Sequence, residues 1–426
     1  MTADSPPTVG ERDEPRPIRS LLGNRDFLFV WLIGGLTGVV RWFQLLAFGV
    51  YTLEITGSPL LVASIPVLWM LPLTLCGPLI GVISENLNRK TLLSVAMTLI
   101  TALQVAMMLL ADAGILTYTM IAIASFLSGL FWASDIPLRR RILGDLSAGL
   151  ISPAMGLDSA TSNATRMLGP LIGGFILQYL GMSGIFTLSS AIYVLCLLLV
   201  LLAHIPGTVG IGAMPSILRD LSGGVRLALG DAGLRRILLV TIIFNIWGFP
   251  FTSMIPILGR EELGLSPLLI GLLTSMEGLG AFVGALLIAV HARPGQFLRI
   301  YVGGVILYLG TIGYLSLLAF VAGGPYHSFI GCALALVVSG FGSACFAAMQ
   351  GTLTYLAAPP EYRSRVLGML TLCIGTGPIG FFNVGLMAEQ FGVAAALAII
   401  SVEGFVALLA LWAWGDSGPR KDPGSQ

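Results

Sequence analysis

The sequence predicts an all-α integral membrane protein with twelve transmembrane helices in two pseudo-symmetric six-helix bundles. Three observations lead to this fold class: the apolar composition, the number of long apolar runs, and the positions of the basic residues. Of 426 residues, 56% are hydrophobic and only 10% are charged, and the mean hydropathy is +0.93. A soluble domain carries about 25% charged residues, so this chain belongs in a lipid bilayer.

Apolar runs of about 20 residues, the length that spans a bilayer as a helix, recur about twelve times along the chain. The 54 glycines are spread through these runs, which favours closely packed helices over a barrel with alternating apolar and polar residues. In order, the predicted spans cover residues 27–52, 60–83, 91–111, 115–136, 154–179, 184–204, 236–257, 267–290, 300–321, 328–350, 365–387 and 394–414.

The basic residues set the predicted orientation, because arginine and lysine collect in cytoplasmic loops. Of the 22 basic residues, only Arg260 falls in a loop of the opposite side, and Arg41 and Arg166 lie inside spans. Both termini are therefore expected in the cytoplasm. The others precede the first span or follow an even-numbered one: Arg12, Arg16, Arg19, Arg25, Arg89, Lys90, Arg139, Arg140, Arg141, Arg219, Arg226, Arg235, Arg236, Arg293, Arg299, Arg363, Arg365, Arg420 and Lys421.

Two bundles joined by a polar linker are the predicted organisation. Apolar residues recur at helical spacing in the linker, which is typical of an amphipathic helix on the inner membrane face, and a mobile linker is the alternative. Those residues are Ile217, Leu218, Leu221, Val225 and Leu229. The predicted units are an N-terminal tail (1–24) without the apolar core of a signal peptide, a bundle (25–204), the linker (205–235), a bundle (236–415) and a C-terminal tail (416–426).

A repeated Gly-Pro pair suggests that the two bundles are duplicates. The fifth span contains RMLGPLIGG and the eleventh contains IGTGPIGF, and each follows a predicted cytoplasmic loop. Duplicated bundles place a binding site at their interface near the middle of the membrane.

The loop after the second span, GVISENLNRK, resembles the cytoplasmic signature of the major facilitator superfamily. Gly81, Arg89 and Lys90 match that signature, while Glu85 replaces its aspartate. Asn86 and Asn88 replace an arginine and a glycine, and an asparagine is expected to adopt the left-handed turn conformation that the glycine supplies.

The fifth span is similar to the antiporter signature of the same superfamily, G-x8-G-x3-GP-x2-GG. The resemblance implies a proton-coupled exporter in which this motif kinks and packs helix five. Glycine allows close helix approach and proline removes a backbone hydrogen bond, so both effects have a physical basis. The matching positions are Gly156, Gly169, Pro170, Gly173 and Gly174, with Thr165 in place of one glycine.

Three further stretches resemble the bacterial macrolide, multidrug and enterobactin exporter branch: ITGSPLLVASI, SDIPLRRRIL and PPEYRSRVLGM. The resemblance implies export of a small organic molecule, such as a siderophore or a drug, by alternating access. An importer of the same fold is the alternative. A membrane enzyme is more remote, because the three histidines lie near span ends and far apart. No phosphate-binding loop of an ATP-driven pump is present.

Four ionisable residues lie near the middle of spans: Arg41, Arg166, Glu277 and Glu403. Charges in hydrocarbon are costly and are expected to pair. The resemblance implies that helices five and eight meet between the bundles, which would bring Arg166 and Glu277 together. Desolvation favours a neutral carboxyl group and a nearby arginine favours the charged form, so Glu277 is predicted to gain a proton when the pair separates. A permanent structural pair is the alternative.

Arg41 and Asp158 each have two possible roles. Arg41, beside Trp42 and Gln44, favours anionic cargo if helix one lines the cavity as the resemblance implies. The alternative is an internal pair between Arg41 and Asp158, which is itself a proton-coupling candidate. Glu403 is expected to bind a backbone group or a hydroxyl, with a proton role left open.

Polar and aromatic residues of other spans complete a predicted substrate cavity, and packing against helices or lipid is the alternative for each. Helical spacing should place Trp247 and Phe251 on one face. The remaining candidates are Asn163, Asn245, Gln350 and Asn383.

Cytoplasmic gate charges are predicted at Asp135 with Arg139 and Arg140, and at Glu361 with Arg363; orientation of the chain is their alternative role. No cofactor, metal or nucleic acid is expected, since the five cysteines show no ligand spacing. The expected partners are the lipid bilayer, a small-molecule substrate and protons. The expected location is the bacterial inner membrane, with the monomer as the functional unit.

Overall fold

The structure, a computed structural model, describes residues 17–86, 88–205, 230–321, 325–359 and 362–415. The described residues form helices joined by short turns. The predicted amphipathic residues Ile217 to Leu229 of the linker lie outside this part of the chain, as does the C-terminal tail.

Six helices make up the described part of the N-terminal half. The Asn24 side chain caps the start of the second helix by accepting hydrogen bonds from the backbone N–H groups of Asp26 and Phe27. Asn88 does the same for the fourth, with extended backbone angles of −60° and 121°, so the expected left-handed turn there is wrong. The helices are α1 (Pro17–Gly23), α2 (Arg25–Thr56), α3 (Pro59–Asn86), α4 (Arg89–Asp112), α5 (Tyr118–Leu146) and α6 (Ile151–Leu202).

Helix α6 is 52 residues long and contains a break at Gly181, where φ is 63°. A positive φ favours glycine, because other residues meet steric strain there. The break lies between the fifth and sixth predicted spans, so these two spans occupy one helix that changes direction.

The C-terminal half begins with α7 (Ala232–Glu262), which is irregular. It is α-helical over Ala232–Ile243, then passes through a π turn (Phe244–Gly248), a 3-10 turn (Phe249–Met254) and a second π turn (Leu258–Glu262). The helices that follow are α8 (Pro267–His291), α9 (Phe297–Val321), α10 (Pro325–Ala357), α11 (Arg363–Ile374), α12 (Gly377–Phe391) and α13 (Val393–Gly415).

Within the described residues, ten helical segments are long and apolar enough to cross a membrane, and Pro59–Leu75 is a shorter apolar helix. Large apolar side chains cover the outside; Val290 is 77% exposed and Leu409 is 69% exposed. Polar groups lie inside, where Gln44 donates to Gln104 and Ser189 over 2.7 and 2.8 Å. An apolar outer surface with polar groups turned inward fits a protein surrounded by lipid.

Helices α2, α3, α4, α5 and α6 pack together in one half, and α8, α9, α10 and α13 pack together in the other. The halves meet mainly where α6 contacts α8 and where α3 contacts α12. We call this contact the seam. The end that carries Arg25, Lys90 and Arg139 is the basic end. The opposite end, which carries Glu54 and Glu389, is the acidic end.

Candidate functional site

Glycines bring α6 and α8 into direct backbone contact at the seam. A Cβ atom on Gly271 would lie 2.5 Å from the carbonyl oxygen of Pro170 and 3.0 Å from the Cα of Gly174. One on Gly278 would lie 2.6 Å from the Cα of Met167. Only glycine fits such distances, because real Cβ atoms do not approach backbone so closely. The expectation that helices five and eight meet is confirmed.

The other motif glycines of α6 face α2 instead of the seam. A Cβ on Gly169 would lie 2.5 Å from the Cβ of Trp42, and one on Gly173 would lie 2.8 Å from the Cβ of Phe43. Gly156 has no neighbour within 4 Å. The motif therefore serves two interfaces, and its first glycine serves neither.

Thr165, which stands where the motif has a glycine, is 4% exposed and packs against Gly38 of α2. A Cβ on Gly38 would lie 2.9 Å from Thr165 Oγ1. The glycine that permits close approach is thus on the facing helix. The substitution in the motif does not prevent α2 and α6 from packing closely.

Arg166 of α6 and Glu277 of α8 form an ion pair across this close contact. Arg166 Nη1 also donates to Ser343 Oγ of α10 over 3.3 Å. The guanidinium group lies 5.4 Å from the ring centre of Trp42. Glu277 is 4% exposed. The pair expected from the sequence is present, and it joins the two halves.

A polar cavity of about 50 Å³ lies inside the N-terminal half, among α2, α3, α5 and α6. A cavity of this size holds a few water molecules or a small polar group. Its walls include Arg41, Gln44, Trp69, Ser128, Trp132 and Asp135.

Arg41 makes no hydrogen bond and no ion pair with any described residue, and its Nε atom is buried without a partner. Three tryptophan rings surround its guanidinium group instead. The ring centres lie 5.0 Å away for Trp42, 5.9 Å for Trp69 and 5.4 Å for Trp132. Cation–π contacts of this kind are attractive, but they leave the N–H donors unpaired. The possible pair between Arg41 and Asp158 is therefore wrong.

Two other arginines, towards the basic end, form ion pairs with Asp158. Arg139 Nη1 donates to it over 2.5 Å and Arg140 Nε over 3.0 Å. Arg139 Nε also donates to Asp135 over 3.3 Å. The Arg139 guanidinium lies in the space that a side chain on Gly34 would fill. These residues tie α2, α5 and α6 together, so the predicted gate charges of this half form one network with Asp158.

A second cavity, of about 100 Å³, lies at the seam, and we call it the seam cavity. The N-terminal half contributes Trp42, Leu45 and Met70, and the C-terminal half contributes Phe249, Thr252 and Thr274. Its wall is almost entirely apolar. Leu45 and Trp69 line both this cavity and the polar cavity, so the two are neighbours.

The five predicted cavity residues of the C-terminal half line neither cavity. Asn245 donates to the carbonyl of Thr241 over 2.9 Å, and Gln350 donates to the Thr241 hydroxyl over 3.3 Å. Phe251 is buried against the ring of Tyr308. Trp247 faces α13. The shared face expected for Trp247 and Phe251 is wrong, because π and 3-10 turns replace the regular helix on which their spacing depended. A role of these residues in binding cargo stays a prediction.

Glu403 accepts a hydrogen bond from Trp247 Nε1 over 2.9 Å. The expected backbone or hydroxyl partner is thus replaced by an indole. Both residues belong to the C-terminal half, so this contact does not cross the seam. Asn163 bonds the carbonyl of Ser159 on its own helix over 3.1 Å. Asn383 is only partly buried and lines neither cavity.

At the basic end, Arg89 pairs with Asp145, which the sequence reading did not single out. Lys90 donates to the carbonyls of Leu201 and Ala203 over 2.9 and 2.8 Å. It thereby satisfies the free carbonyls at the end of α6.

Other predicted residues of the basic end are described only in part. Arg363 donates to the Tyr355 hydroxyl over 3.1 Å. Its predicted partner Glu361 lies outside the described residues. Gly81 and Glu85 are in the last turns of α3, where the side chains lie outside the described part.

At the acidic end, two polar contacts join the halves. Arg260 of α7 pairs with Glu54 of α2 over 3.3 Å. Glu389 of α12 accepts from Ser58 Oγ over 2.8 Å and from the backbone N–H of Leu60 over 3.2 Å. Glu389 therefore caps the N-terminus of a helix of the other half.

The family assignment comes from a comparison over nearly the whole chain. Residues 19–414 match the model of a family described as transmembrane secretion effectors of the major facilitator type. The chain belongs to this family. It is therefore an integral membrane transporter rather than an enzyme, and the resemblance read from its motifs is confirmed.

Curated relatives of this chain include efflux proteins and transporters of bacteria. Macrolide efflux protein A of Streptococcus pyogenes is 20% identical, with 80% of this chain and 84% of the relative covered. The Staphyloferrin A transporter of Staphylococcus aureus is 23% identical, with 78% of this chain and 82% of the relative covered. A crystal structure of a POT family transporter has a TM-score of 0.74 at 12% identity, covering 92% and 98% of the chains. That likeness supports the fold.

Several residues that line the cavities were not predicted from the sequence. Trp69 and Trp132 stand in apolar runs where a lipid-facing tryptophan would look the same. Thr252 and Thr274 are short polar residues that a helix accommodates anywhere. Their position relative to the seam becomes visible only once the halves are packed.

Proposed function

We propose that this transporter is a proton-coupled exporter of a small organic molecule, acting as a monomer by alternating access. Its described helices would belong to twelve spans in two six-helix bundles: α6 provides two spans on either side of Gly181, and α11 with α12 provides one. With the basic end in the cytoplasm of a bacterial inner membrane, both termini would lie inside.

The Arg166–Glu277 pair is the observation that supports proton coupling. It is the ion pair that joins α6 to α8, and Glu277 is almost fully buried. A carboxylate that loses its arginine in a low-dielectric site favours the neutral form, so opening of the seam would be accompanied by proton uptake. Closing would release the proton and restore the pair. Each cycle would then exchange protons for cargo.

Export rather than import is supported by the motif in α6. Gly169 and Gly173 make close contacts with α2, Gly174 makes them with α8, and Gly38 compensates for Thr165. The efflux proteins among the relatives point in the same direction. Macrolides and siderophores are therefore the first cargoes to try.

The test is accumulation of a labelled macrolide and of labelled staphyloferrin A in everted membrane vesicles with an acidic interior. We expect uptake that a protonophore abolishes. Glu277→Gln should retain cargo binding and lose uptake driven by the pH gradient. Glu403→Gln is the matched control, because its carboxylate contacts a tryptophan within one half, and it should leave coupled uptake intact.

Three results would contradict the proposal. Uptake in right-side-out vesicles instead of everted ones would indicate an importer. Normal proton-driven uptake by Glu277→Gln would mean that the pair with Arg166 only fixes packing. Loss of coupling in Glu403→Gln alone would place the proton site at Glu403, away from the seam.

A further inference from the structure

The polar cavity contains an arginine, Arg41, that pairs with neither of its carboxylates. Arg41, Arg139 and Arg140 line it together with Asp135 and Asp158, and the Arg140 side chain is 50% exposed. The ion pairs of Asp158 go to Arg139 and Arg140, and Asp135 pairs with Arg139. Arg41 is left over. An unpaired charge in a membrane protein is expensive and marks a site that something else completes.

Three residues that line the same cavity carry hydrogen-bonding atoms without a partner. Arg41 Nε, Trp132 Nε1 and Ser128 Oγ are buried and have no partner. Ser128 is 8% exposed. Two of these atoms can only donate, and a hydroxyl can do so. Buried donors without acceptors are rare in proteins because each lost hydrogen bond costs stability. An anion bound at the Arg41 guanidinium would bring an acceptor into this part of the cavity.

Asp135 contributes the opposite kind of atom. It is 3% exposed, and its Oδ1 has no donor although its Oδ2 accepts from Arg139. Arg41 does not reach it. The carboxylate of a ligand would pair with Arg41, and a hydroxyl or N–H group of the same ligand would donate to Asp135 Oδ1.

The neighbouring seam cavity provides the apolar counterpart. Leu45 and Trp69 line both spaces, and Trp69 stacks on Trp132 with ring centres 4.3 Å apart. Resting on the proposed transport function, we propose that the cargo is an amphiphilic organic anion. Its carboxylate binds Arg41 beneath the tryptophans, and its apolar body occupies the seam cavity.

The test is binding of naphthoate, naphthamide and naphthylmethylammonium to the purified full-length protein, followed by tryptophan fluorescence. The three probes share the apolar ring and differ in charge. We expect naphthoate to bind about ten-fold to a hundred-fold more tightly than the other two, as for a charge-assisted hydrogen bond. Arg41→Gln should remove this preference, whereas Arg41→Lys should retain part of it.

Arg236→Gln is the matched control, because Arg236 also lies over a tryptophan, Trp412, but lines neither cavity. It should bind naphthoate as the wild type does. Arg41→Gln should unfold at the same temperature as the wild type or a higher one, since it removes an uncompensated charge. A purely structural Arg41 would instead lower the unfolding temperature.

Equal binding of naphthoate and naphthamide by the wild type would overturn the inference, and so would unchanged naphthoate binding by Arg41→Gln. If Arg41→Gln does not fold, the wild-type probe series and Arg41→Lys still decide. Binding is measured without a proton gradient. A failure of the anion-binding inference can therefore be told apart from a failure of proton-coupled export.

Discussion

Single glycines decide how closely the two halves approach. At Gly271, the carbonyl of Pro170 occupies the place of a side chain, so the smallest possible substitution must push α6 and α8 apart. The Arg166–Glu277 pair lies on the same two helices. Any widening of the contact would therefore lengthen that pair, and glycine at the seam supports both packing and the proposed proton exchange.

Gly271→Ala should destabilise the protein by about 1–3 kcal/mol, because the added methyl group overpacks a backbone contact. Thermal unfolding in detergent measures the loss. Gly156→Ala is the control, since no atom lies within 4 Å of the new Cβ position. Alanine is the better helix former, so this variant should be unchanged or slightly more stable. Equal effects of both substitutions would show that the seam tolerates a side chain.

The Arg166–Glu277 pair was predicted from two premises: opposite charges in hydrocarbon are expected to pair, and the family resemblance implied that helices five and eight meet. The same reasoning failed for Arg41 and Asp158, which also have opposite charge. Arg139 and Arg140 are close enough to satisfy Asp158 first. Competition among several arginines depends on side-chain reach, and the sequence does not contain that information.

Irregular helices matter at the scale of the element. Two π turns and a 3-10 turn interrupt α7, and its residues Phe249 and Thr252 reach the seam cavity while Trp247 and Phe251 do not. Regular helical spacing cannot anticipate such turns. At the other end of the seam, Glu389 stabilises the start of α3 from α12, so a helix cap also serves as a contact between halves.

Glu389→Gln should loosen the start of α3. An amide accepts a weaker hydrogen bond from Leu60 N–H than a carboxylate does, a difference of about 1 kcal/mol. Hydrogen exchange of a peptide covering residues 57–66 should then become about five-fold faster. Glu262→Gln is the control, because Glu262 is exposed at the same end and forms no hydrogen bond or ion pair within the described residues. Unchanged exchange in Glu389→Gln would show that the acidic end is held by other contacts.

At the scale of the whole molecule, the charges divide between two ends. Arg25, Lys90 and Arg139 lie at one end, and Glu54 and Glu389 lie at the other. This asymmetry is the basis for placing the basic end in the cytoplasm.

A membrane-impermeant maleimide should therefore label two engineered cysteines from opposite sides. In a background without native cysteines, Ala113→Cys should react in right-side-out vesicles and Gln296→Cys in everted ones. Ala113 follows α4 at the acidic end, and Gln296 lies between α8 and α9 at the basic end. Both residues are exposed. Reversed labelling would place the termini outside and would also reverse the proposed direction of transport.

The sequence by itself determined that this is a helical membrane transporter of the major facilitator type and that Arg166 and Glu277 face each other. Those conclusions depend on composition, motifs and the cost of charge in lipid. Composition is an average over the chain, and motifs and single charges are local features, so all three can be read from the sequence. Only the tertiary structure decided which arginine Asp158 binds, that Arg41 is left without a carboxylate, and which residues of α7 line the seam. These outcomes follow from distances between side chains of different helices, and such distances exist only after the helices have packed.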